Sequence, residues 1–198
     1  EAVVEPYTIL VISLTFAKAS GEEVRTFTSR TSDDKTPAKE RRVPAKAGWN
    51  RFVWDLRYAP ATKIEGSDPP SEETIEGPIV APGDYTVTLK VGDTELTQPL
   101  TVVKAPNRPA SQADLEAQED LLLRIHRQVD RTIQVINRMR DLRSQLEGWS
   151  KRTKEREGGA DVAAAADALR EKVLEIEKTL LVPDLRAGWA DSLNAGVR

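Results

Sequence analysis

The chain has no cysteine, one methionine and one histidine, and aromatics make up only 5% of it. The missing cysteine excludes disulfides and thiol chemistry without fixing a compartment. A single histidine, His126, with no cysteine beside it leaves too few ligands for a zinc-type site, and it reads as an ordinary solvated or hydrogen-bonded side chain on a helix flank. Long apolar runs are also missing. Ile9 to Phe16 is interrupted by Ser13 and Thr15, is too short to span a bilayer and reads as a strand. There is no excess of positive charge. At a net charge of −3, nothing draws the chain electrostatically to nucleic acid. Gly158-Gly159 lacks the Lys-Ser/Thr of a phosphate loop, and no serine has a histidine partner by motif. The acidic pairs Asp33-Asp34 and Glu72-Glu73 lack the alternating oxygen-ligand spacing of a calcium loop and read as solvated charge. These absences point away from an enzyme and from any metal or cofactor. Glu1 opens the chain without a charged-then-apolar signal region, and Asn194 to Arg198 reads as the start of a further helix, so both ends are expected to be cuts in a longer protein.

What is present falls into two halves, with domains expected over 1–104 and 105–198. In the first, apolar residues recur with period two. Tyr7 to Leu14 carries apolar side chains at both parities, the pattern of a strand covered on two faces. Ala19-Ser20-Gly21-Glu22 is a turn leading into the strand Glu23–Thr28, and the polar stretch from Ser29 to Lys39 reads as a loop. Arg41 to Ala45 suits a short edge strand, since Pro44 cannot donate to a ladder. In GWNRFVWDLRY (48–58), Phe52, Trp54, Leu56 and Tyr58 share one parity and predict a half-buried strand with an aromatic inner face. Gly48 suits a tight entry and Asn50 a side-chain-fixed turn. A long surface loop from Ala59 to Ile75 follows. Pro82-Gly83 then launches Tyr85 to Val91, and Gly92-Asp93 turns it back into Thr94 to Val103. Several short strands with such turns predict an antiparallel Ig-like β-sandwich.

After Pro109 the period becomes 3.6. Ser111-Gln-Ala-Asp114 is a capping-box pattern, with Asp in place of the usual Glu. Leu115, Leu122, Ile125, Val129, Ile133, Ile136, Met139, Leu142 and Leu146 read as one stripe on a helix of about 38 residues, ~57 Å long. Lys151 to Gly159 is the connection. A second helix is expected from about Asp161 to Leu181, stopped by Pro183. Trp149 and Trp189 are expected to pack between helices. The second helix is too short to cover the first, so the stripe needs the sandwich, Leu185 to Val197, or a homodimer through the helices.

Trp54 reads as core because its same-parity neighbours are ordinary core residues. Trp49, Asp55, Arg57 and Tyr58 form a candidate ligand or docking rim. An exposed aromatic row there would suit sugar stacking, with Trp49, Tyr58 and the 59–82 loop forming the platform.

The order SGEEVRTF, AGWNRFVWDLRY, GPIVAPGDYTVTL and TQPLTVV resembles the Ig-like domain of flagellar hook-cap proteins and of the ends of many secreted bacterial proteins. Together with the Asp-Leu-Arg-Tyr ending and the Asp-Leu-Glu-Ala-Gln helix, it is similar to the C-terminal region of bacterial BNR/sortilin-like β-propeller proteins, from about Leu14 to Leu146. The resemblance implies a non-catalytic structural or protein-interaction module on an exported protein, with the parent β-propeller as partner. The alternative is a carbohydrate-binding accessory module of a glycoside hydrolase. The hydrolase label of such proteins belongs to the propeller. No Asp-box (Ser-x-Asp-x-Gly-x-x-Trp) occurs in this sequence.

Overall fold

A computed structural model of the chain describes residues 11–29, 41–65 and 76–181. Six elements follow in order: β1 (Ile12–Lys18), β2 (Glu23–Thr28), β3 (Gly83–Val91), β4 (Thr94–Val102), α1 (Gln112–Thr153) and α2 (Ala160–Leu180). The expectations for Tyr7 to Leu10, Asp33-Asp34, Glu72-Glu73, Pro183, Leu185 to Val197 and Trp189 lie outside the described residues. The chain divides into two compact units, one of 1–59 with 76–123 and the other of 60–75 with 124–198, and α1 contributes residues to both.

The first unit is built on one antiparallel sheet in the order β2-β1-β3-β4. Strand alternation sorts its two faces. Phe16 of β1, Phe27 of β2, and Tyr85 and Val87 of β3 point to the core, joined by Val24 at an irregularity in the β1–β2 register. The opposite face is hydroxyl-rich. Register places Thr26, Thr15, Thr88 and Thr97 in one row across all four strands, and two neighbouring pairs bond through their hydroxyls at 2.9 and 2.8 Å. Such a β-branched polar face suits a sheet wet on one side. The exposed edge strand β4 carries Pro99, which removes a donor from the ladder.

The antiparallel sheet followed by two helices matches the expected order. Among the described residues the sheet's apolar face is covered by irregular chain rather than by a second sheet. Val43, Tyr58, Val80 and Leu123 of α1 close the core, with Phe52 and Trp54 packed against it. Trp54 stacks on Phe16 with centroids 4.3 Å apart and meets Tyr85 edge-on at 6.0 Å. Burying side chains of this size contributes about 1.5–3 kcal/mol each.

Two expected strands are not formed. Arg41 to Ala45 makes a single backbone bond to the sheet, Val43 N–H to Thr28 O at 3.1 Å. Phe52 to Tyr58 makes only an isolated bridge, Arg57 to Ile79. The reason is local. The Asp55 carboxylate accepts the Arg57 amide at 3.3 Å, a turn bond that competes with a ladder, and Leu56 between them adopts a left-handed φ of 60°. Leu56 therefore leaves the inner face it was expected to share with Trp54 and is exposed. Val80 N–H reaches Leu56 O at 2.8 Å and Tyr58 N–H reaches Pro78 O at 3.0 Å. The backbone approach is close enough that a Cβ on Gly77 would lie 2.3 Å from Tyr58 O, so no larger residue fits there.

α1 begins as expected. The Asp114 carboxylate accepts the Ser111 amide (2.9 Å) and hydroxyl (2.6 Å), while Ser111 Oγ accepts the Asp114 amide (3.2 Å). These bonds hold the Asp114 carboxyl below its ordinary value. The helix has 42 residues and runs to Thr153, three residues into the stretch expected as the connection. Its stripe is not one row. Ile133 and Ile136 are buried, whereas Leu122, Ile125 and Leu142 are exposed and Leu123 takes the buried place beside Leu122. A repeat of about 3.5 residues drifts ~20° per heptad round a 3.6-residue helix, so apolar positions read as one line belong to different faces.

In the second unit α1 and α2 pack antiparallel. Ser150 Oγ donates to Asp167 at 3.0 Å near one end, and Arg140 and Arg143 meet Glu177 near the other. Ala163 and Ala166 supply the buried small contacts of α2, followed by Val173. Residues 60–65 run along α1 without regular structure. Thr62 N–H donates to Asp130 (2.6 Å), Glu65 N–H donates to the Asn137 side chain (2.9 Å), and Asn137 Nδ2 returns a bond to Lys63 O (2.8 Å).

Candidate functional site

The rim residues separate. Trp49 stands on a turn that Gly48 enters at φ 90°, a conformation open to glycine. Asn50 fixes that turn. Its Oδ1 accepts the Lys46 amide at 3.1 Å, and its Nδ2 donates to Lys46 O (2.8 Å) and Gly48 O (3.0 Å). The Trp49 side chain is 103% exposed, with no face against the protein. Asp55 pairs with Arg25 at 3.6 Å, and Arg25 in turn lies over the Phe27 ring at 4.5 Å. Arg57 donates to Gly77 O (3.0 Å) and pairs with Glu76 (3.1 Å). Tyr58 belongs to the core, at 6% exposure, and is no part of a solvent rim. Trp49 and Tyr58 therefore make no common aromatic platform.

What Tyr58 touches is a buried carboxylate of α1. Glu119 is 5% exposed. Its Oε1 accepts the Tyr58 hydroxyl (2.9 Å) and the Ala81 amide (3.2 Å), and its Oε2 accepts Lys18 Nζ (3.2 Å). Lys18 arrives there because alternation along β1 puts it on the core face, one step beyond Phe16. One side chain of α1 thus ties β1, the Tyr58 segment and the Ala81 segment together. Burial, then the bond to Glu119, pushes the Tyr58 hydroxyl well above its ordinary range. Burial and the Glu119 charge push Tyr85 up to about 12. The spacing was a signal: Leu115, Glu119 and Leu123 lie four apart, on one face.

The second unit has an analogous centre. Glu177 accepts Arg140 Nε at 2.9 Å and Arg143 Nη1 at 2.5 Å. Burial alone would raise its carboxyl, but the two guanidinium bonds outweigh burial and hold it below the usual range. Arg140 also donates to Glu65 O. A cleft of about 770 Å³ opens beside these groups, lined by Glu65, Asn137, Arg140, Glu171, Lys178 and others of both charges. Its acids and bases are interleaved, so it offers no field of one sign to a charged ligand.

Leu142, Trp149, Val162, Leu169 and Ile176 of the two helices remain 40–55% exposed. Arg152 lies over the Trp149 ring at 4.8 Å, and Trp149 is otherwise on the surface instead of between helices. Among the described residues no group of three or more His, Cys, Asp or Glu is placed to hold a metal ion, and no helix is long and apolar enough to cross a membrane. Comparison of the chain with protein-family models, with curated proteins and with solved structures finds no match.

Proposed function

We propose that the chain is a non-catalytic structural and protein-interaction module, an Ig-like sheet carrying a helical hairpin, from the C-terminal end of an exported β-propeller protein. The observation that carries the interaction role is the apolar surface of the hairpin: five large side chains of α1 and α2 exposed where a solvated pair would carry charge. The buried carboxylates support the structural role, since Glu119 and Glu177 are both engaged in holding segments together. The four-stranded antiparallel sheet supports the Ig-like assignment, being what one half of a constant-type sandwich supplies. The propeller and the export rest on the likeness of AGWNRFVWDLRY, TQPLTVV and the Asp-Leu-Glu-Ala-Gln helix to that family.

Two measurements test this reading. Purified protein is expected to turn over none of a panel of aryl glycosides and esters; turnover abolished by a point substitution in this chain overturns the non-catalytic role. A β-propeller from the same polypeptide, expressed separately, is expected to co-purify with the chain. A chain that neither retains the propeller nor associates with itself overturns the interaction role.

The full exposure of Trp49 on a fixed turn favours one other reading, a carbohydrate-binding accessory module. Titration with soluble polysaccharides would then change tryptophan fluorescence in the parent and not in Trp49→Ala. We expect no change in either.

A further inference from the structure

We propose that the turn carrying Trp49 is an anchor for an anionic lipid surface, with Trp49 entering the headgroup layer while Arg42, Lys46 and Arg51 meet lipid phosphates. The turn belongs to the sheet unit and does not depend on the interaction role of the hairpin.

Sequence sets the charge. The chain as a whole is acidic, at −3, so attraction to an anionic surface has to come from a local excess of cations. Residues 41–54 hold Arg41, Arg42, Lys46 and Arg51 and no acid. The stretch before them, 30–40, balances three cations against three acids and cancels none of this excess. Asp55 follows, but its carboxylate is engaged by Arg25 and by the Arg57 amide. Arg42, Lys46 and Arg51 are exposed, and among the described residues their side chains make no ion pair.

Local structure sets the shape. Val43 is buried and its N–H bonds Thr28 O at 3.1 Å, while Phe52 and Trp54 pack against the same core. These contacts hold both arms of the excursion to the sheet unit, and Arg41 Nη1 closes its base on Val53 O at 2.7 Å. Between the arms, every residue from Ala45 to Arg51 is exposed. The three Asn50 bonds fix the tip, and a Cβ built on Gly48 would meet nothing within 4 Å. The tip therefore projects, and Trp49 presents its whole ring from a backbone that needs no ordering on binding. Lys46 and Arg51 stand three and two residues from it, within roughly 11 and 7 Å along the backbone. Their long side chains flank the ring.

Shape and charge together choose the partner. A sugar or a base is held in a concave site or between stacked rings. Trp49 instead stands on a convex tip, and the neighbouring aromatics Phe52, Trp54 and Tyr58 are turned to the core. A stable protein partner buries roughly 800 Å² on each side, more than one short turn offers. A lipid surface asks for less: an amphipathic ring at headgroup level, and cations within a Debye length of the phosphates. The long stems of Lys46, Arg42 and Arg51 let their charges reach phosphate while the ring sits deeper. Each cation close to such a surface strengthens binding about fivefold, so the three together contribute on the order of 100-fold. Attachment of this kind is reversible and sensitive to salt.

The test sediments the whole chain with vesicles of phosphatidylcholine, with and without phosphatidylglycerol. The parent is expected to bind the anionic vesicles, to leave them as salt rises, and not to bind the neutral ones. Trp49→Ala is expected to weaken binding about tenfold, with circular dichroism unchanged because that ring touches nothing. Lys46→Glu with Arg51→Glu is expected to abolish binding, and Lys46→Arg with Arg51→Lys to keep it. With brominated lipid at saturating concentration, tryptophan fluorescence is expected to be quenched in the parent and not in Trp49→Ala, which retains three other tryptophans. Absence of binding, equal binding to neutral vesicles, or binding that survives the charge reversal overturns the proposal. Quenching that persists without Trp49 does the same. Equally tight binding to lipid-free polyphosphate or single-stranded DNA makes the turn a general polyanion site and overturns the lipid assignment. A fluorescence response to soluble polysaccharide that needs Trp49 likewise gives the turn to the carbohydrate reading. Where Trp49→Ala fails to fold, the charge variants decide. Retention of the separately expressed propeller is read independently of all these outcomes, so the interaction role and the lipid anchor fail separately.

Discussion

Glu119 joins the first unit through donors from three separate segments. A buried carboxylate that loses one hydrogen-bond donor keeps its desolvation cost. Tyr58→Phe is therefore expected to destabilise the unit by about 1–3 kcal/mol, read from denaturant melts, although it leaves the ring and its burial in place. The same centre gives a pH dependence of known sign. Tyr58 and Tyr85 have folded values raised above the ordinary 10.0, Tyr85 to about 12. In that case the folded state holds its phenol protons while the unfolded chain gives them up. The stabilisation is complete below pH 10.0 and is lost as pH rises through about 12. With Tyr7 replaced by Phe, so that only Tyr58 and Tyr85 absorb, phenolate absorbance is expected to appear together with the loss of circular dichroism; phenolate that appears at pH 10 in that folded variant overturns the assignment. Sequence made some of these residues legible and hid others. Asn50 was readable because an Asn two residues after Gly48, at the entry to an apolar-alternating run, suits a turn fixed by its own side chain. Glu119 was hidden because a charged residue on a charged helix reads as solvent-facing. Only its equal spacing from Leu115 and Leu123 spoke against that.

The elements came through where a pattern was local and failed where two local preferences competed. β2, β3 and the Gly92-Asp93 hairpin are strands and turn as alternation predicts, and the Ser111–Asp114 cap starts α1 where the pattern put it. The stretch 52–58 failed because Asp55 offered the backbone a turn bond, and alternation of side chains carries no record of that choice. In α2 the decisive residue is Glu177, ringed by two arginines of α1 that are 22% and 32% exposed. Their pull holds its carboxyl below the ordinary value despite burial. A lowered folded value contributes stability above the ordinary carboxylate range, and that contribution is lost as pH falls through the folded value. Glu177→Gln is expected to cost the hairpin up to about 3 kcal/mol at neutral pH and to flatten the acid limb of its stability curve. An acid limb unchanged by the substitution would assign acid sensitivity to other carboxylates.

At the scale of the whole chain, the compact units divide at Leu123, within a single continuous helix. The sequence shows no sign of this division, because the periodicity of α1 runs on unbroken across it. What changes there is which segment the helix packs with. Up to Leu123 its buried residues belong to the aromatic core of the sheet, and from Asp130 its polar flank is strapped to 60–65. Cooperative opening follows packing more closely than it follows helix boundaries. Trp54→Ala removes a ring stacked on Phe16 and is expected to destabilise the first unit by about 3–5 kcal/mol. Its effect on hydrogen exchange is expected to be unequal along α1. Amides of 116–123 should exchange faster in step with the sheet, while those of 136–150, shielded by α2, should keep their parent rates. A uniform loss of protection from one end of α1 to the other would mean that the helix transmits the opening of the sheet to the hairpin, and that the two units unfold as one.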